Sequence, residues 1–120
     1  MVIFALALAV PTPLTEIHQR DISCVVEIAV LANAQKRGVT GGADVQTDGR
    51  RWAGIVGDRI IAATGQPREL VAIAMTETAK ARAARADDAA ALSTCKQQMT
   101  NELASADAAT APLPKPVKAQ

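Results

Sequence analysis

Residues 88–108, DAAALSTCKQQMTNELASADA, place their apolar side chains at the spacing of an α-helix. Leu92, Cys95, Met99, Leu103 and Ala106 fall three or four apart and form one stripe. Ser93, Thr94, Gln97, Gln98, Asn101 and Ser105 occupy the opposite face. Asp87 is the expected N-cap, because a carboxylate there can accept the free amide bonds of the first turn. Cys95 sits inside the stripe, so it faces another helix. Only one other cysteine exists in the chain, Cys24.

Around Cys24 the sequence reads as a second, different helix. Asp21 is a suitable cap for a helix over 22–37, and Gly38 suits the left-handed residue that commonly ends one. Ile22, Val25, Val26, Ala29 and Val30 share one face. Cys24, Ile28 and Leu31 share the opposite one. A helix that is apolar on both sides is expected to be buried on both, hence central. A Cys24–Cys95 disulfide would then tie the first helix to the last. An even cysteine count fits such a staple in an oxidising compartment. The closed loop of roughly 70 residues would contribute about 4 kcal/mol through chain entropy. Two reduced, buried thiols are the alternative.

Two more helices lie between. One is expected over 48–64, with an apolar stripe of Trp52, Ile55, Val56, Ile60 and Ala63 and Gly65 at its end. Arg59 interrupts that stripe. It is read as a stem lying on the core with its head in water, or as a buried ion pair with Glu27 or Glu77. The other helix runs over 67–85 and opens on Pro67, where the missing N–H costs nothing. Leu70, Val71, Ala74, Met75, Thr78 and Ala81 form its broad, shallow face, and Lys80, Arg82 and Arg85 gather where the helix dipole favours cations. The glycine-rich stretch 38–49, GVTGGADVQTDG, is expected to be a mobile loop that bridges distant helix ends.

These elements predict an all-α fold, a four-helix orthogonal or up-down bundle over 21–108. Hydrophobic residues make up 49% of the 120, but with one Phe, one Trp and no Tyr the core is alanine-rich and thin, so a covalent staple matters. Residues 1–20 are expected to be a signal-peptide remnant and linker. VIFALALAV at 2–10 is apolar, Ala7-Leu8-Ala9 has the small-x-small pattern of a cleavage site, and the run is too short to span a bilayer. An ordinary apolar N-terminal arm is the alternative. Residues 109–120, ending APLPKPVKAQ, are expected to be a disordered proline-rich tail.

The chemistry-bearing residues are few. With 13 Lys and Arg against 12 Asp and Glu, the net charge of +1 leaves no electrostatic footprint for nucleic acid. One histidine, His18, and two cysteines fall short of a zinc site. No nucleophile–base pair, phosphate loop or GxGxxG turn is present, so neither catalysis nor a cofactor is expected. Residues 58–75, DRIIAATGQPRELVAIAM, resemble a helix-turn-helix, which implies a cytoplasmic DNA-binding regulator as an alternative function. Its second helix soon turns apolar, unlike a base-reading helix.

DISCVVEIAV around Cys24, RRWAGIVGDRI around Trp52 and ALSTCKQQM around Cys95 give the chain a layout that resembles small, uncharacterised, exported helical proteins of bacteria with one disulfide. The resemblance covers roughly residues 20–104. It implies a periplasmic or secreted location and no activity. The expected function is a non-enzymatic interaction or structural module. Its partner would be another protein or a second copy, with no nucleic acid and no stable membrane insertion.

Overall fold

A computed structural model of the chain describes residues 14–110. Residues 1–13 of the expected signal remnant and linker and residues 111–120 of the expected tail lie outside the described residues; 109 and 110, expected in the tail, belong to the last helix. Four helices follow one another: α1 (Glu16–Lys36), α2 (Gln46–Thr64), α3 (Arg68–Ala83) and α4 (Ala89–Thr110). No strand occurs among the described residues. The fold is all-α, and the Cys24–Cys95 disulfide joins the first helix to the last, with Cα atoms 5.0 Å apart.

α1 begins six residues before the expected start. Thr15 is its cap, not Asp21: Thr15 Oγ1 accepts from the His18 amide, and His18 Nδ1 accepts from the Thr15 amide, both at 3.4 Å. This reciprocal pair does the work of a capping box with histidine in place of glutamate. The expected linker thus ends by Leu14, and Asp21 lies inside the helix, where it is buried. Asp21, Ile22 and Cys24 through Ile28 are buried, so α1 is covered over most of its circumference for two turns, while Ser23 and, against expectation, Ala29 and Val30 stay exposed. Its end follows the expected form. Gly38 is left-handed (φ 71°), and the Val39 amide reaches back to the Ala34 carbonyl at 2.9 Å.

The glycine-rich loop is shorter and more tightly held than its composition suggests. The Gln35 side chain donates to the carbonyls of Ala43 (2.8 Å) and Gly41 (3.4 Å). Its Oε1 accepts from the Val45 amide at 3.0 Å. Val45 is buried in the core, so one glutamine and one valine anchor the segment. α2 starts at Gln46, two residues ahead of the expected Asp48.

Trp52, Val56 and Ile60 of α2 are completely buried and form the centre of the core with Ile22 and Ile28. Gly49 lets α1 and α2 approach closely: a Cβ there would lie 2.9 Å from Ile28 Cγ2. Gly65 closes α2 in the left-handed conformation (φ 70°). Pro67 stands at the N-cap of α3, one position outside its expected place. The face expected to bury Leu70 contributes only Val71 fully, with Ala74, Met75 and Thr78 partly covered. Leu70 and Ile73 are about half exposed, at 47% and 54%. On α4 the stripe is as expected: Cys95, Met99 and Leu103 are buried and Leu92 and Ala106 half-buried. The cap is Asp88, whose Oδ1 accepts from the Ala90 and Ala91 amides. Asp87 turns away to Arg82.

α1 and α2 each pack against every other helix, whereas α3 and α4 make no packing contact with each other. Register reveals the directions. Ile28 meets Gly49 while Asp21 meets Arg59, so α1 and α2 run in opposite senses. Asp107 meets Arg51 while Glu102 meets Arg59, so α2 and α4 also oppose. Cys95 meets Cys24 while Gln98 meets Asp21, so α1 and α4 oppose as well. Three parallel rods cannot all be mutually antiparallel. The axes must cross at steep angles, which fits the orthogonal form of the bundle.

Candidate functional site

Two polar clusters cross the interior, one on each side of the disulfide along α1. The first is built on Glu27, one turn beyond Cys24. Its Oε1 accepts from Arg82 Nε at 2.5 Å and from Arg85 at 3.3 Å. Arg82 continues to Asp87 at 2.7 Å. Glu27 and Arg82 are both buried, with side chains 7% exposed. The hydrogen bonds to Asp87 and Glu27 raise the Arg82 pKa above its ordinary value despite burial. The basic residues at the end of α3 therefore do more than complement the helix dipole.

The second cluster is built on Arg59, and it corrects the expected Arg59–Glu27 pair. Glu27 is occupied by α3, because α1 turns Glu27 and Asp21 to different neighbours. Arg59 instead bonds Asp21 of α1 at 3.1 Å and Glu102 of α4 at 2.8 Å. Glu77, the other expected partner, pairs with Lys80 on the surface at 3.3 Å. Trp52 Nε1 donates to Glu102 Oε1 at 3.0 Å. Gln98 Nε2 donates to Asp21 at 3.0 Å and to Glu102 Oε2 at 2.9 Å. Burial alone would raise the Glu102 pKa, but the bonds from Trp52, Gln98 and Arg59 outweigh it and hold the carboxyl below its ordinary value. Arg59 is shifted up for the matching reason: burial opposes its charge, and Glu102 and Asp21 favour it more. Three helices thus meet on five side chains whose charges and donors are mutually matched. No buried side-chain nitrogen or oxygen among the described residues is left without a partner.

Two clefts flank the first cluster and share Glu27 and Asp88. One, of about 340 Å³, is walled by Val30, Leu31, Val39 and Leu92. The other, of about 430 Å³, runs over the disulfide between Arg20 and Arg85. Of the carboxylates that border them, Glu27 and Asp87 are engaged by guanidinium groups and Asp88 by the first amides of α4, so the arrangement holds helices in place. Among the described residues no three His, Cys, Asp or Glu side chains converge on a metal-sized site. His18 is committed to the α1 cap.

The segment 58–75 forms two helices around a three-residue turn, Gly65 to Pro67. The first basic residue of its second helix, Arg68, is paired with Asp58 at 2.9 Å. The outer face of that helix offers Glu69, Leu70, Ile73 and Glu77. The feature that sequence reasoning placed wrongly is this outer face: Leu70 belongs to the surface with Ile73, and only the packing of α3 onto α1 and α2 could show it. No helix among the described residues is long and apolar enough to cross a membrane. No protein-family model, curated protein or solved structure matches this chain.

Proposed function

We propose that this chain is a non-enzymatic interaction module of the periplasm or the extracellular space, and that it engages another protein through the outer face of α3. The observation that carries this reading is the Leu70–Ile73 pair, two large apolar side chains one turn apart and about half exposed. Contiguous exposed apolar surface, unlike scattered single side chains, marks contact sites. The rest of the architecture supports a binding role. The interior charges satisfy one another, and among the exposed large apolar side chains, which also include Ile17 and Val39, Leu70 and Ile73 stand together on one helix face. The disulfide supports the compartment, since such bonds persist chiefly outside the reducing cytoplasm.

A photo-crosslinking residue placed at Ile73 in the native host tests the contact, with the same residue at Thr100 of α4, also exposed, as the control. Discrete adducts from position 73 alone support the reading, and their mass separates a different protein from a second copy. Equal or absent adducts at both positions refute it. The mass of the mature protein from that host tests the compartment: two hydrogens fewer than the reduced chain is expected, and free thiols in a cytoplasmic fraction would refute export.

A further inference from the structure

The polar cluster around Arg59 has a second property that its place on α4 makes consequential. α4 is held to the rest of the molecule in two ways along its length. Near its start Cys95 is bonded to Cys24. Beyond Cys95 only Met99 and Leu103 are buried. The remaining hold is polar and converges on one carboxylate, Glu102, which receives Trp52, Arg59 and Gln98 together. Asp21 of α1 completes the cluster through Arg59 and Gln98. One turn further on, Asp107 pairs with Arg51 of α2, an exposed contact, and Asp48 adds its charge to the field at Arg51. Every group facing Glu102 in this cluster is therefore a donor, a cation or the paired Asp21. The covalent tether and the charge-dependent hold occupy different stretches of the same helix.

We propose that α4 is an acid-released arm: when Glu102 loses its charge, the helix beyond Cys95 leaves α1 and α2 and uncovers Trp52, Met99 and Leu103, while the disulfide keeps its beginning attached. Protonation of Glu102 removes the nearer anionic partner of Arg59 and, with it, the charged acceptor of Trp52 and Gln98. The guanidinium is then left beside a neutral carboxyl in a half-buried setting, where hydration outside the cluster is the better state. The direction follows from the cluster itself. Glu102 is held below its ordinary pKa, so the hold is complete above the usual carboxylate range and is lost as pH falls through the depressed value. The Glu27 cluster also contains carboxylates, but it joins α1 to α3 and to Asp87 and includes no residue of α4, so it does not hold the arm. The released surface would add apolar area to that of α3. This inference does not depend on the α3 contact, and either can fail alone.

Trp52 is the only tryptophan and donates directly to Glu102, so it reports on the cluster without a label. The oxidised full chain is titrated from pH about 7 to about 2 while Trp52 emission, far-UV circular dichroism and binding of an apolar dye are followed. A red shift of Trp52 and dye binding, with most of the helical signal retained and full recovery on neutralisation, are expected. Glu102→Gln should start at neutral pH with emission already shifted toward the acid form and respond less to acid. Hydrogen exchange at acid pH locates the opening even if that variant folds poorly: peptides from 99–110 should exchange at least about ten-fold faster than those from 20–30. Trp52 emission unchanged to the lowest pH, loss of Trp52 signal and helicity in one step, or equal exchange in the two segments would each overturn the proposal.

Discussion

Replacing Gly49 by alanine should destabilise the domain, while the same change at Gly54, five residues along the same helix, should stabilise it. Alanine in a helix interior is favoured over glycine by about 1 kcal/mol, because glycine loses more backbone freedom on folding. At Gly54 nothing lies within 4 Å of the new methyl, so the whole of that gain should appear. At Gly49 the methyl would meet Ile28 Cγ2 at 2.9 Å, closer than carbon atoms approach without displacement. Ile28 is 1% exposed and belongs to the packed core, so its displacement disturbs its neighbours. Inserting a methyl into such packing costs about 1–3 kcal/mol. The net change at Gly49 should therefore lie between about zero and a loss of about 2 kcal/mol. Urea and thermal unfolding of the oxidised chain measure both variants. Each kcal/mol should move Tm by about 4–8 °C in a domain of this size. Ile28→Leu removes the offending γ-methyl at nearly constant volume, so the Gly49→Ala, Ile28→Leu double variant should recover stability relative to Gly49→Ala alone. Equal stabilisation by both glycine replacements, or no coupling in the double-mutant cycle, would show that α1 and α2 do not meet at this point.

Other consequences can be checked with the same unfolding assays. Gln35→Ala removes the single side chain that closes the 39–45 segment and should cost about 1–3 kcal/mol, with faster amide exchange confined to residues 41–46. Arg82→Met leaves the buried Glu27 with only the more distant Arg85 and should cost about 3–5 kcal/mol, whereas pairing it with Glu27→Leu should restore most of the loss. Thr15→Ala breaks the α1 cap and should cost about 1 kcal/mol; no change would place the helix start nearer Asp21. Reduction of the disulfide should lower stability by about 2–5 kcal/mol in equilibrium unfolding at neutral pH.

How much was legible beforehand varied with the kind of signal. The stripes of α2 and α4 are strongly periodic, and the structure buries Trp52, Val56, Ile60, Cys95, Met99 and Leu103 as their spacing implies. The start of α1 was misread because Asp21 is a better cap by residue type than Thr15. The reciprocal bond of Thr15 with His18 reverses that preference, and Asp21 is drawn inside by Arg59. Asp87 is the expected cap of α4, but Arg82 claims its carboxylate and Asp88 caps the helix instead. Arg59 stands out in the sequence as the misfit in an apolar stripe. Its partners could not be read, because acids at 21, 27, 77 and 102 are equally available to a chain whose crossing angles are unknown.

Local order and covalent chemistry were therefore written in the residues themselves. Helical period, glycine termini and a pair of cysteines each act over a few bonds or through a unique partner, and they were enough for four helices and the disulfide between the first and last. Which acid meets which arginine, how closely Gly49 lets two backbones approach, and which side of α3 stays in water depend on the relative placement of whole helices. That placement is a sum over many weak contacts far apart in the chain, and only the folded arrangement resolves it.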